Sequence, residues 1–423
     1  MIVFFAVLIV FLLIGMPISI SIGASAVIGC LNLGYPLMVI GQKMVFGIDS
    51  FLLIAIPLFI FAGNLMNAGK ITDRIFNFAN SLVGWITGGL GHAKIVASLI
   101  FAGMSGSAAA DAGGLGTIEM EAMTSKGYDR DFSAAVTSAS SVVGPIFPPS
   151  IPLIIYGSIA SVSVSKLFVG GVVPAVLIVV TMMALTLVIS LKKGYPRERF
   201  DVKKLAREFA RSILSIITPL IILSGFTAGL FTPTEASCVA VVYALVIAIF
   251  VYRTLDRKSF IKCVLDSAVT SANTLFIIGT STLFTYVLVR EGVSGKIADF
   301  IAGVSTNPSI VILTINIILL VLGMFMEPGA ILTLMLPVLI PIAQRFNLDM
   351  VYFGVIVVLN LMIGQVTPPF GVCLFIVGDV GKVKLERLYR AIVPFLIPLI
   401  AVLFLCAYYP PLIAWLPNVL LGE

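Results

Sequence analysis

The sequence predicts an all-α protein that crosses a membrane many times, and three observations support this fold class. The 423 residues are 60% hydrophobic, with a mean hydropathy of +1.15, and only 11% are charged, whereas soluble domains carry about 25% charged residues. Apolar runs long enough to span a bilayer recur along the whole chain. Two of these runs contain prolines at their centres, where proline breaks a helix.

The overall charge and the cysteines narrow the class further. A net charge of +6 fits basic loops held on one side of a membrane, so we expect a surrounding lipid bilayer and no nucleic-acid partner. The five cysteines form no C-x-x-C pair, which argues against a disulfide framework or a zinc site. The N-terminal apolar run lacks a basic region before it and is interpreted as a first membrane helix rather than a cleaved signal peptide.

Residues 1–191 are expected to form a first repeat. The stretch Gly103–Gly116 is small and rich in hydroxyls, and it joins two apolar arms, which favours a re-entrant hairpin. The expected elements are mainly apolar and follow in chain order: a run kinked at Pro17 (2–28), a span (51–66), the first hairpin (93–123), a broken span (132–156) and an uninterrupted span (167–191).

Residues 192–232 are expected to join this repeat to a second one, residues 233–423. The connection begins with a basic loop, 192–211, which holds eight of the 26 basic residues and is placed in the cytoplasm by the positive-inside rule. A connecting span follows it. The second repeat again combines spans with interrupted runs: a span (264–289), the second hairpin (310–343), a second broken span (351–377) and a last span (392–416).

The two broken spans carry the functional argument. Pro148 and Pro149 in the first, and Pro368 and Pro369 in the second, remove backbone donors from the middle of an apolar run. Irregular backbone at membrane depth is tolerated only where it is buried in protein or lines a wet cavity. The freed carbonyls and half-helix ends can then bind ions and polar solutes, so we interpret the breaks as the floor of a transport site.

The two interrupted pairs share one sequence offset. Gly103 recurs as Gly323 and Gly144 as Gly364, each 220 residues later, and the Pro-Pro pairs keep the same spacing. Matched interruptions are typical of inverted-repeat transporters, whose binding site lies near the membrane midplane. All basic loops fall on one side only if each hairpin enters and leaves by one face. Hairpin one is therefore expected on the cytoplasmic side and hairpin two opposite, with a cytoplasmic N-terminus and an external C-terminus.

Six stretches of the chain resemble a known family, the large membrane subunit of tripartite ATP-independent periplasmic (TRAP) transporters. They are spread over nearly the whole chain and are specific in combination: Pro57–Leu65, Gly106–Asp111, Gly144–Pro152, Phe231–Glu235, Met326–Pro328 and Asn360–Gly371. The resemblance implies an elevator-type transporter in the bacterial inner membrane, driven by a sodium gradient, that imports an organic acid such as sialic acid or a C4-dicarboxylate. It also implies a separate small membrane subunit of four helices and a periplasmic substrate-binding protein.

Two sodium sites are expected where the hairpin tips face the breaks, because a cation in a dry site needs several oxygens in place of its water. The family that the chain resembles has sodium sites at such places. The candidate ligands are hydroxyls and carbonyls of tip and break: Ser105, Ser107, Gly144, Phe147 and Pro149 for site one, and Gly323, Met326, Gly364, Val366, Thr367 and Pro369 for site two. We expect no transition metal and no organic cofactor.

An anionic substrate is expected between the two tips, where half-helix N-termini carry partial positive charge. Ser107 at the first tip and Ser150 at the start of the half-helix after the first break are candidate contacts. Asp111 is another, although it is equally suited to capping the tip turn. Arg290 is a fourth candidate for a substrate carboxylate, although its place at the end of a span also suits snorkelling to the interface.

Three other functions fit parts of the sequence. A stand-alone sodium-coupled carboxylate carrier would share the hairpin plan and need no binding protein. A membrane-embedded hydrolase, with Ser107 or Asp111 as its active group, lacks a credible base near the tip, so we expect no enzyme. A scaffold subunit fits poorly, because irregular backbone inside a membrane is costly unless it serves a site.

Overall fold

The computed structural model describes residues 2–293, 295–296, 299, 303 and 307–422. All regular structure in these ranges is helical, and eight of the helices are long and apolar enough to cross a membrane. This confirms the predicted fold class, an all-α protein with many membrane spans.

The first repeat contains ten helices. α7 is one helical stretch, residues 108–125, with a π-helical segment Asp111–Leu115 between Ala108–Ala110 and Gly116–Ser125. The others are regular: α1 Ile2–Leu13, α2 Ile18–Asn32, α3 Leu37–Ile48, α4 Ala55–Ala68, α5 Ile71–Val83, α6 Gly89–Ser105, α8 Arg130–Ser140, α9 Ile151–Ala160 and α10 Val164–Lys193.

Nine further helices follow in the described part of the rest of the chain. α12 continues into a π-helical segment, Ile247–Val251. The nine are, in order, α11 Val202–Thr227, α12 Pro233–Val246, α13 Arg257–Arg290, α14 Pro308–Phe325, α15 Pro328–Arg345, α16 Met350–Gly364, α17 Val372–Gly381, α18 Leu385–Tyr408 and α19 Pro411–Leu421.

α6 and α7 lie where the sequence predicts the first hairpin. Their connection passes through Gly106, whose φ of +59° is left-handed backbone that glycine adopts without strain. Ser107 then caps α7, because its hydroxyl accepts a hydrogen bond from the Ala110 N–H at 3.3 Å. A small, hydroxyl-bearing tip is therefore what this turn requires.

Both broken spans are interrupted at their proline pairs. The first break lies between α8 and α9, where a short 3-10 turn, Ser141–Val143, is followed by non-helical backbone. Ser150 ends this break and caps α9 by accepting a hydrogen bond from the Leu153 N–H at 3.2 Å. The second break lies between α16 and α17 and ends at Gly371, whose φ is +44°. Proline cannot continue the helical ladder through either break.

The sequence offset relates whole helices. α7 covers residues 108–125 and α15 covers 328–345, so both of their ends match at 220 residues. The second half of each broken span packs against the second arm of the other hairpin, α9 on α15 and α17 on α7. This exchange is what an inverted repeat produces. It ties α6–α9 and α14–α17 into one unit, which we call the hairpin body.

Two expectations need correction. Residues 2–28 are not one kinked helix, because α1 ends at Leu13 and the chain turns at Gly15, with φ +84°, before Pro17 precedes α2. Hydropathy alone does not separate a kink from a break. The basic stretch is partly helical, because α11 begins at Val202, capped by the Asp201 carboxylate accepting from the Lys203 N–H at 2.8 Å.

Three helices form a wall beside the hairpin body, namely α3, α4 and α13. α13 packs along α3 and α4, and it also contacts α15 of the body, whereas α4 contacts α6. Asn64 on α4 donates a hydrogen bond to the Ser267 hydroxyl on α13 at 2.8 Å, which links two members of the wall. The candidate site therefore lies between this wall and the two hairpins.

Candidate ion and solute site

The tip of the first hairpin rests on the first break. A β-carbon built on Gly106 would lie 2.6 Å from the Pro149 carbonyl oxygen and 3.4 Å from the Ile151 nitrogen. A β-carbon on Gly144 would lie 3.3 Å from the Ser107 carbonyl oxygen. The structure thus brings the candidates Ser107, Gly144 and Pro149 together, and the N-termini of α7 and α9 meet at this point.

Ser105 supplies an unusual oxygen at this meeting point. Its side chain is only 2% exposed, and its hydroxyl has no hydrogen-bond partner among the described residues. A buried polar atom without a partner is costly unless a ligand or water satisfies it. Together with the carbonyls of Ser107 and Pro149, it forms an oxygen-only donor set of the kind that a hard cation such as sodium prefers. Phe147 is a half-buried member of the same break.

A cavity of about 210 Å³ opens beside the first tip, between the hairpin body and the wall. Ser105 and Ser107 line it from the body, and Gly63, Asn64 and Thr270 line it from the wall. Asn64 also borders a second cavity of about 320 Å³, which is lined by polar and charged side chains of the wall, among them Asn67, Lys262 and Asp266. A polar solute that occupies the first cavity therefore has a polar neighbourhood leading away from the tip.

The second tip and the second break are joined by backbone contacts. A β-carbon on Gly364 would lie 2.7 Å from the backbone of Gly323, so the two helices touch there without side chains. The Gly371 N–H donates a hydrogen bond to the Met324 carbonyl at 3.0 Å. Gly323 and Gly364 are thus brought together as expected for site two, while Met326 ends α14 one step further along the tip.

The oxygens of the second break are partly used by the fold itself. The Thr367 hydroxyl donates to the Ile363 carbonyl at 2.7 Å, and its N–H donates to the Gly364 carbonyl at 3.0 Å. The Pro369 carbonyl accepts a hydrogen bond from the Tyr389 hydroxyl. Each carbonyl oxygen has a second lone pair, so these groups can still take a cation. Val366 is fully buried at the centre of this break.

The substrate candidates differ in how much of their hydrogen-bonding capacity is already used. The Ser150 hydroxyl donates to the Pro145 carbonyl and accepts from Leu153 within the break. Asp111 is buried, and its carboxylate accepts hydrogen bonds from Lys94 at 3.0 Å and from the Ser98 hydroxyl at 2.8 Å. Among these candidates, Ser107 is the one that lines the cavity at the tip.

Arg290 is not brought to the tips in this structure. It is exposed at the end of α13, where its guanidinium lies 5.5 Å from the centroid of the Tyr286 ring. This is the snorkelling position that its place in the sequence also allowed. A contact between Arg290 and a substrate carboxylate stays a prediction.

Sequence reasoning missed the polar contacts that hold the arms of the hairpins to the broken helices. The Ser98 hydroxyl donates to Ser140 at 3.0 Å in the first repeat, and the Asn360 amide donates to the Asn316 side chain at 2.7 Å in the second. Ser140 and Asn360 are again 220 residues apart. The offset was the signal that could have found them, but their partners appear only when the helices pack.

A third cavity lies on the other side of the contact between wall and body and measures about 460 Å³. The wall contributes Asp49 and Thr282, and the body contributes Ser158 from α9 and Thr333 from α15. Thr333 also donates to the Ser281 hydroxyl on α13 at 2.8 Å. Cavities therefore lie next to both hairpins, and each has one side on the wall and one on the hairpin body.

Paired hairpins resting on broken helices, with polar cavities beside them, define a multi-pass membrane protein of the transporter class. The family model described as "Tripartite ATP-independent periplasmic transporter, DctM component" matches residues 5–412. The chain belongs to this family and is a large permease component of a TRAP transporter.

The relatives cover most of the chain. It is 46% identical over 382 residues to the sialic acid TRAP transporter permease protein SiaT of Haemophilus influenzae, covering 90% of this chain and 62% of that protein. It is 43% identical over 388 residues to the sialic acid large permease SiaM of Vibrio cholerae, covering 90% of each. The C4-dicarboxylate large permease DctM of Rhodobacter capsulatus is 33% identical over 434 residues, covering 99% of each.

Among solved structures, the YdaH transporter of Alcanivorax borkumensis has a similar fold. The TM-score is 0.65 over 88% of this chain and 87% of that chain, at 11% sequence identity. At this identity the likeness shows a shared architecture and no more.

Proposed function

We propose that this chain is the membrane-crossing path of a sodium-coupled importer of an organic acid. The observation that carries the proposal is the contact of each hairpin tip with its break: Gly106 on Pro149, and Gly323 on Gly364. At the first contact, the unpartnered Ser105 hydroxyl and two carbonyls supply oxygens for a cation that has lost its water. The pseudo-symmetric second contact suggests a second sodium ion, bound by carbonyls of the second tip and break.

The proposed substrate is a carboxylate that binds between the tips. The N-termini of α7 and α9 meet there, and such ends attract anions through their free N–H groups and their dipoles. Ser107 lines the adjoining cavity and adds a hydroxyl. The named relatives carry sialic acid or C4-dicarboxylates, which are acids of this kind.

The proposed transport movement is an elevator movement of the hairpin body against the wall. The reciprocal packing of α9 on α15 and of α17 on α7 supports it, because the two hairpins and two broken helices are then held as one unit. Cavities adjoin the wall beside both hairpins. We further propose a small membrane subunit and a periplasmic binding protein as partners in the bacterial inner membrane, with the N-terminus cytoplasmic and the C-terminus periplasmic.

Uptake into proteoliposomes tests the proposal. The chain is reconstituted with the small subunit encoded beside it, and the matching binding protein is supplied outside with radiolabelled sialic acid or succinate. We expect uptake that requires an inward sodium gradient and stops when potassium replaces sodium. Uptake that ignores sodium would refute the coupling. Uptake that needs no binding protein would favour a stand-alone carboxylate carrier instead.

A further inference from the structure

A buried ionic cluster inside the first hairpin has a charge imbalance that the ion and solute sites do not explain. Lys94 on α6 lies between two carboxylates of α7, with its Nζ 3.0 Å from Asp111 Oδ1 and 2.8 Å from Glu119 Oε2. All three side chains are at most 1% exposed. One ammonium and two carboxylates leave a net charge of minus one when all three groups are ionised.

The two carboxylates are supported very differently. Asp111 accepts hydrogen bonds on both oxygens, from Lys94 and from the Ser98 hydroxyl. Glu119 has the contact with Lys94, but its Oε1 is buried and has no hydrogen-bond partner among the described residues. An ionised oxygen without donors is costly in a low-dielectric interior. The unbalanced charge therefore falls on Glu119 rather than on Asp111.

The helices around Glu119 offer a hydrogen-bond acceptor and, in the described part of the chain, no second cation against it. α8 contributes Thr137, whose methyl group would lie 3.0 Å from a β-carbon on Gly116, one turn before Glu119, and whose hydroxyl is buried without a described partner. α17 contributes the Cys373 thiol on the Asp111 side. α6 contributes Lys94, the one ammonium of the cluster.

We propose that Glu119 is a proton-binding site, occupied at neutral pH. The proton joins a carboxylate oxygen of Glu119, makes the cluster electrically neutral and converts that group into a donor for which Thr137 is an acceptor. The first hairpin then lies in the membrane without a net charge. Sodium is a poorer occupant, because an ammonium already stands between the two carboxylates and repels a second cation. The inference depends on neither the substrate nor sodium coupling.

Infrared spectroscopy of the purified full-length chain in heavy water tests the proposal. A protonated carboxylic acid has a carbonyl band separate from that of ionised carboxylates. We expect this band at neutral pH, and we expect it to shift when glutamate carboxyls, but not aspartate carboxyls, are labelled with carbon-13. It should be missing from Glu119→Gln and present in Glu121→Gln, whose residue is exposed on the same helix. A band that moves with labelled aspartate, that persists in Glu119→Gln, or that is not there at all would overturn the proposal.

The pH dependence of stability gives a second readout. A group that binds its proton more tightly in the folded state contributes stability that is present at low pH and is lost as the pH rises. The melting temperature of the unsubstituted chain should therefore fall more steeply at alkaline pH than that of Glu119→Gln, with Glu121→Gln behaving like the unsubstituted chain. Identical alkaline profiles would overturn the proposal. If Glu119→Gln does not fold, the isotope shift in the unsubstituted chain decides.

Discussion

Gly106 faces the Pro149 carbonyl so closely that a β-carbon would lie 2.6 Å from its oxygen. Gly106→Ala should therefore push the first tip off the first break, and its φ of +59° adds about 1–2 kcal/mol of backbone strain for alanine. Because about 1.4 kcal/mol corresponds to a factor of ten, we expect uptake in proteoliposomes to fall about tenfold or more.

Gly127→Ala is the matched control for this substitution. Gly127 has a φ of +86° but nothing within 4 Å of its β-carbon position, so it carries the same backbone cost without the collision. We expect the Gly127→Ala variant to lose some thermal stability and to keep most of its uptake. If both variants lose uptake equally, backbone strain and not the contact with Pro149 is the cause.

Gly364→Ala should separate the second tip from the second break. Its β-carbon would lie 2.7 Å from Gly323 backbone, which cannot move aside as a flexible side chain can. Uptake should fall about tenfold or more, by the same free-energy conversion. Gly41→Ala on α3 is the control, since nothing lies within 4 Å there and alanine should stabilise that helix by about 1 kcal/mol. Normal uptake by Gly364→Ala would show that this close approach is not needed.

The breaks and the repeat were predictable because they are local or periodic. Proline pairs at 148–149 and 368–369 interrupt their helices wherever they occur, and the shared offset could be read without any coordinates. The role of Ser105 within its motif was less accessible. That its hydroxyl is buried without a described partner is a property of the packed hairpin, and no spacing in the sequence encodes it.

Ser105→Ala separates a ligand from a structural hydroxyl. If the hydroxyl binds sodium, its removal should raise the half-saturating sodium concentration about tenfold or more, because an interaction with a charged group contributes about 1.5–3 kcal/mol. If it only fills space, removing a buried hydroxyl that has no partner should leave sodium activation unchanged and stabilise the protein. Sodium titration of uptake, together with thermal melting, decides between the two.

Ser190→Ala provides the comparison. Ser190 on α10 is also fully buried with a hydroxyl that has no partner among the described residues, but it lies beside Gly88 at the far end of the first arm from Ser105. We expect its removal to leave the sodium dependence of uptake unchanged. An equal rise of the half-saturating concentration in both variants would argue for a general packing effect.

The ionic cluster of Lys94 escaped sequence reasoning for a different physical reason. A single lysine inside an apolar arm requires a buried counter-charge, and Glu119 lies 25 residues further along the chain. The two meet only because the hairpin folds α7 back on α6. The charge of Lys94 signalled that a partner exists, whereas the identity of the partner depended on the turn at Gly106.

Asp129 gives a prediction for acid pH at the base of the first hairpin, outside the membrane spans. The Lys193 ammonium and the Tyr195 hydroxyl lower the pKa of Asp129 below its ordinary value. A lowered pKa means that the stabilisation is present above about pH 4 and is lost as the pH falls through the native value. Both partners are about half exposed, so the pair contributes only about 0.2–1 kcal/mol. Asp129→Asn should therefore lower the melting temperature slightly at pH 7, and the difference should vanish in acid. Lys193→Met should behave alike, and a deficit that grows in acid would contradict the assignment.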